Sequence, residues 1–104
     1  MSEIALIRTT FGDTARAEQV ARTVITERLA ACATLDQVRS IYRWDGAVEQ
    51  ADEVAVLFKT SVEAAPALRA RIAALHDYDV PVIEHWNVET DAPAADWVRN
   101  STGE

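Results

Sequence analysis

Cysteine is almost missing from this 104-residue chain. Cys32 is the single one, so no internal disulfide can form, which fits a reducing compartment. No apolar run approaches the ~18–20 residues of a membrane span. The opening MSEIALIRTT has no basic stretch followed by an apolar one, so no secretory signal and no membrane association are expected, and cytoplasm is the expected location. Basic residues are in deficit, ten Lys and Arg against 17 Asp and Glu, for a net charge of −7. That balance argues against nucleic acid as a partner, because phosphate binding needs a basic face. From Asp77 to Asp96 there are six carboxylates and no Lys or Arg. Such a segment either attracts cations or forms a solvated acidic surface. GxGxxG, Walker, CxxC and HExxH motifs are all missing, and no spacing of Ser, His and carboxylates singles out a triad.

What is there is an apolar fraction of 49%, enough for the core of one domain spanning 1–104. The chain is organised around Leu35 to Thr60, with Asp45-Gly46 at its centre. That dipeptide tolerates positive φ at both turn positions and suits a type I′ hairpin. Val38, Ser40, Tyr42 and Trp44 share one face of the first arm, while Val54, Val56 and Phe58 alternate with Ala55, Leu57 and Lys59 in the second. Arms of about ten residues or more run roughly 33 Å, against a radius of gyration of ~13 Å for a domain of this size. Such a hairpin overhangs its own core, and its free edge asks for a cover, most simply another copy of the chain.

Ile4 to Thr9 reads as a first strand, central because Ala5/Ile7 and Ile4/Leu6 are apolar on both faces. Asp13 or Thr14 caps a helix reaching Ala30, with Ala17, Val20, Ala21 and Val24 on its buried side. Cys32 starts the second strand, and Asp36-Gln37 predicts a bulge within it. Thr60 and Glu63 have capping-box spacing, with Pro66 in the first turn of a second helix that buries Leu68, Ile72 and Leu75. Val82 to Val88 predicts a fourth strand in which Glu84 conflicts with burial. A last helix starts near Pro93 with Trp97 and Val98 inward, and Ser101 to Glu104 are expected to fray. The order β-α-β-β-α-β plus a terminal helix predicts an α+β ferredoxin-like domain. Its four-stranded antiparallel sheet carries the helices on one face and is open on the other.

Few side chains suggest chemistry. Cys32 reads as a small buried thiol or a reactive one. His76, beside Asp77 and Asp79, can cap a helix end as a cation or ligate a divalent metal as neutral imidazole. Tyr42 and Trp44 near the hairpin tip favour an interface. Glu53, Lys59 and Arg28 are either ordinary surface charges or the lining of a polar pocket where subunits meet.

In sequence order, ERLAACATL, IYRWDG followed by EV, LFKTS and HDYDVP span nearly the whole chain. Together they resemble the signature of the CutA divalent-cation tolerance family. The resemblance implies a non-enzymatic homotrimer whose long hairpins pair around a three-fold axis. It also implies a role in tolerance to divalent cations, copper in particular, with a metal ion or small ligand at the subunit interface. The family's proposed copper ligands match Arg8, Leu75 and His76 here, which leaves His76 as the metal-ligating side chain of the set. The alternative implied is a trimeric signalling module of the nitrogen-regulatory type that senses a metabolite.

Overall fold

The structure, a computed structural model, describes residues 2–103. Strand β1 (Glu3–Phe11) is followed by helix α1 (Thr14–Thr26), strands β2 (Cys32–Trp44) and β3 (Ala47–Thr60), helix α2 (Ala65–Leu75), strand β4 (Glu84–Glu89) and helix α3 (Ala92–Asn100). The sheet is antiparallel, in the order β2-β3-β1-β4. This is the ferredoxin-like arrangement that the element order implied, with β1 central.

β1 is fully buried on one face and partly buried on the other. Ala5, Ile7 and Phe11 join Val54, Val56 and Phe58 of β3 beneath α1 and α2, whose Ala17, Val20, Val24, Leu68 and Ile72 complete this core. Ile4 and Leu6 point the other way, with Val88, and are covered by Ala95 and Val98 of α3. The second face is therefore partly roofed rather than open. Trp97, expected inward, is half exposed. Ala95 and Val98 stand three residues apart and take the inner stripe, which turns Trp97 sideways.

Asp13 caps α1 by accepting the Arg16 N–H at 2.8 Å. The helix stops short of Ala30 because Arg28 adopts φ 62°. The Leu29 N–H then reaches back to the Val24 carbonyl at 2.9 Å, and the Arg28 N–H to that of Ile25 at 3.0 Å. This is a Schellman closure with arginine where glycine is usual. At α2 the Thr60–Glu63 capping box does not form. Thr60 Oγ1 donates to the Leu29 carbonyl instead, and Ser61 Oγ accepts from the Ala64 N–H.

No bulge interrupts β2, since Asp36 and Gln37 pair one to one with Ala55 and Val54. The fourth strand starts at Glu84, later than the expected Val82. Val82 is exposed, and its carbonyl accepts from Thr9 Oγ1 outside the ladder. Glu84 faces its cross-strand partner Arg8 at 3.3 Å on a half-exposed edge, which removes the conflict with burial. The C-terminal tail is anchored: Thr102 is buried, donates to Ser61 Oγ at 3.0 Å, and precedes Gly103, whose N–H reaches the Arg28 carbonyl. Glu104 lies outside the described residues.

The hairpin is as long as its sequence implied. β2 and β3 pair over 13 positions, from Cys32↔Lys59 to Trp44↔Ala47, and close on Asp45 and Gly46 at φ 50° and 79°. β1 accompanies β3 only as far as Phe11↔Val54. Beyond that step residues 38–44 and 47–53 run as a two-stranded ribbon, and the molecule reaches 45 Å along its longest axis.

Candidate functional site

A polar cluster sits where β1 ends and the ribbon begins. Strand alternation puts Val54 on the helix-covered face beside Phe11, so Glu53 lies on the opposite face with Thr10 and Ser40. Glu53 is 8% exposed, a rare burial for a carboxylate. A hydrogen bond from the hydroxyl of Tyr78, in the loop after α2, offsets part of the cost. Burial by itself opposes ionisation of Glu53. The nearby hydroxyls of Ser40, Tyr78 and Thr10, with the field of His76, outweigh it and hold the carboxyl below its ordinary range. Tyr78 shifts the opposite way: burial, then the bond to Glu53, keeps its hydroxyl protonated well above the usual phenol range.

His76 underlies this cluster from the helix-covered face. Its side chain is fully buried and stacks on Phe11 with ring centroids 4.3 Å apart. Nε2 lies 2.9 Å from the Thr10 carbonyl and 3.2 Å from Thr9 Oγ1. A carbonyl can only accept, so Nε2 carries the proton. Nδ1 then accepts the Tyr78 N–H at 3.2 Å. Burial is the main reason the imidazole stays neutral, with a pKa below its ordinary value; Arg16 adds to this, while the Thr10 carbonyl, Asp77 and Glu53 oppose it. Both ring nitrogens are thus engaged, and the neutral ring offers no free lone pair. Asp77, half exposed, has Oδ1 3.7 Å from Nδ1 and Oδ2 3.8 Å from Arg16 Nε. Among the described residues no group of three or more His, Cys, Asp or Glu is arranged to hold a metal ion.

The remaining residues singled out in the sequence fall into two other regions. Lys59 and Cys32 are cross-strand partners at the base of the hairpin, both half-buried, and Cys32 Sγ lies 4.0 Å from Thr34 Oγ1. Cys32 is therefore outside the core clusters. Arg28 stands nearby but is turned to α3, donating through Nε to the Gly103 carbonyl at 2.9 Å and through Nη2 to that of Asn100 at 2.7 Å. It satisfies orphan carbonyls past a helix end. Strand alternation puts Tyr42 on the same face as Ser40 and Glu53, one step further along the ribbon, whereas Trp44 is at the far tip. Tyr42 and Trp44 are 43% and 54% exposed, with Ile41 and Val48 more so. So Tyr42, Glu53 and His76 belong to one neighbourhood, while Lys59, Cys32 and Arg28 belong to another. Tyr78, Thr10 and Ser40 escaped the sequence reading. The available signal was Glu53 itself, a carboxylate in the run EVAVLF that could be buried only by finding donors.

A model of the family described as CutA1 divalent ion tolerance protein matches residues 5–101. The chain belongs to the CutA1 family. The divalent-cation tolerance protein CutA of Thermus thermophilus is 40% identical over 109 aligned positions, covering 99% of this chain and all of that one. CutA of Synechococcus elongatus superposes with a TM-score of 0.94 at 30% identity, over 99% of this chain and 93% of that one. A CutA of Archaeoglobus fulgidus, described as a periplasmic divalent cation tolerance protein, gives a TM-score of 0.89 at 28% identity, over 95% and 97%. The polar cluster falls inside the stretch that defines CutA1, and two of its members, Glu53 and Tyr78, come from the EV and HDYDVP blocks.

Proposed function

We propose that residues 1–104 act as one domain of a homotrimer that serves in tolerance to divalent cations, copper among them, without turning over a substrate. The ribbon is the observation that carries this reading. It exposes Ile41, Tyr42, Trp44 and Val48, and among the described residues the β3 edge over 47–53 has no neighbour once β1 has stopped. β4, at the other side of the sheet, offers a free edge of six residues. A ribbon from one copy laid along the edge of another satisfies both, and repetition of such a head-to-tail contact closes a ring. Family resemblance supplies the number three.

In this reading the functional cleft forms where a neighbouring subunit meets the Glu53–Tyr78 cluster, with Tyr42 beside it. Among the described residues one chain has no complete ligand set, and His76 has no spare lone pair. A cation at this cleft therefore draws ligands from more than one subunit, and takes His76 only by displacing the Tyr78 N–H. Calorimetry with copper or zinc tests this. Saturable binding that His76→Ala weakens supports the cation site; heats no larger than those of an unrelated acidic protein remove it.

The polar character of the cleft also favours a second reading, a trimeric signalling module that senses a metabolite through Glu53, Ser40 and Tyr78. Affinity capture of a specific partner, released on adding metabolite, would select it over cation handling. We place the protein in the cytoplasm, where the lone thiol Cys32 stays reduced. Cell fractionation checks this against the periplasmic description of the Archaeoglobus relative.

A further inference from the structure

We infer that Glu53 is a brace that sets the direction in which the ribbon leaves the sheet, and that Tyr78 is the positioning residue that keeps the brace closed. The sheet is at its full width up to the pair Phe11↔Val54 and narrows to two strands immediately after it. Two-stranded ribbons twist more strongly than wider sheets and have little stability alone. A ribbon that must meet another molecule at a fixed angle therefore needs a restraint at the step, and Glu53 is the first residue beyond it.

Its carboxylate accepts the hydroxyl of Tyr78 from the loop after α2, and the hydroxyls of Ser40 on the other arm of the ribbon and of Thr10 near the end of β1 stand near enough to favour its charged form. A carboxylate can accept about four hydrogen bonds with defined directions. An apolar side chain at the same place would fill space without fixing an angle. Tyr78 gets there by passing over Gly12, where an added Cβ would stand 3.7 Å from the phenol oxygen. It is tethered at both ends. Its N–H is on His76 Nδ1, its ring lies against the imidazole with centroids 4.8 Å apart, and its hydroxyl is on Glu53. His76 in turn is stacked on Phe11, the last paired residue of β1. The loop and the ribbon are thus joined across the end of the strand that separates them.

The brace belongs to the geometry of one chain, and it stands whether or not the assembled state proposed above is correct. Residue-resolved hydrogen exchange on the full chain tests it with Tyr78→Phe, Glu53→Ala and Glu53→Gln. In Tyr78→Phe the ribbon amides between residues 40 and 51 should exchange at least about tenfold faster, the lower end of what a hydrogen bond to a charged group is worth. Amides of the body, such as those around Ile7 and Phe58, should keep their rates. Glu53→Gln retains an acceptor for the phenol and should recover most of the protection lost in Glu53→Ala. Unchanged ribbon rates would overturn the inference. So would an equal acceleration of ribbon and body, which is ordinary destabilisation, or a glutamine variant no better protected than the alanine one. If Glu53→Ala does not fold, the ribbon and body rates of Tyr78→Phe decide between these outcomes. Light-scattering mass on the same samples reads assembly separately, and a monomer with a loosened ribbon upholds the brace while removing the trimer.

Discussion

Replacing Trp44 with alanine asks what the exposed tip of the ribbon is for. The side chain is 54% exposed in the isolated chain, and a tryptophan presents up to ~250 Å² of surface, so on the order of 130 Å² awaits cover. At ~25 cal/mol per Å² that area is worth about 3 kcal/mol if a neighbour buries it completely. This is an upper bound, because the interface also orders the side chain. A loss of about 3 kcal/mol per contact corresponds to roughly two powers of ten in dissociation constant. The protomer itself should hardly notice. Trp44 touches neither core cluster, and an exposed substitution usually stays within about 0.5 kcal/mol. Sedimentation velocity over a wide concentration range is the assay. The variant should dissociate at a concentration about one to two orders of magnitude above wild type, with an unchanged circular dichroism spectrum. Identical dissociation of the two proteins would refute the reasoning and leave Trp44 as surface without a partner.

Three further outcomes follow from the core, the cap and the buried titratable groups. Phe58→Ala empties a fully buried ring position and should lower the unfolding free energy by about 3–5 kcal/mol in urea titration; a loss under ~1 kcal/mol would contradict the packing described. Asp13→Ala removes the acceptor of the Arg16 N–H and should cost about 1 kcal/mol, seen as a lower urea midpoint with unchanged slope. Stability should decline as pH falls through 6.5, because the unfolded chain binds a proton that buried His76 refuses, and further below 4.5, where protonation of Glu53 is resisted by the fold. Tyr78 acts at the other end: its raised pKa leaves stability intact below 10.0 and erodes it above. Urea midpoints that rise between pH 7.5 and 5.5, or a His76→Gln variant with the same acid slope as wild type, would contradict this account.

The parts of the fold legible in the sequence are those governed by neighbours in the chain. Asp45-Gly46 announces a turn because its dihedral needs are local, and β1 announces its central place because Ile4, Ala5, Leu6 and Ile7 are all apolar. Where contacts between distant residues decide, sequence reading fell short. The end of α1 depends on Arg28 accepting a left-handed conformation while its guanidinium serves α3, 72 and 75 residues away. Thr60 has a capping partner in sequence but finds a better one in the Leu29 carbonyl. Glu84 looks misplaced until Arg8 is seen across the ladder. The candidate site follows the same division. Glu53 and His76 stand out as residue types, but Tyr78, which joins them, is 25 residues from Glu53, and the HDYDVP block that holds it points to a family and not to a carboxylate partner.

The most direct test of the central claim, that the ribbon is made to be covered by sister chains, is the solution mass of the unmodified protein by light scattering coupled to size exclusion. The account predicts about 35 kDa, three chains of 11.5 kDa, held on dilution. A stable species of one chain's mass, with its ribbon amides exchanging freely, would contradict it.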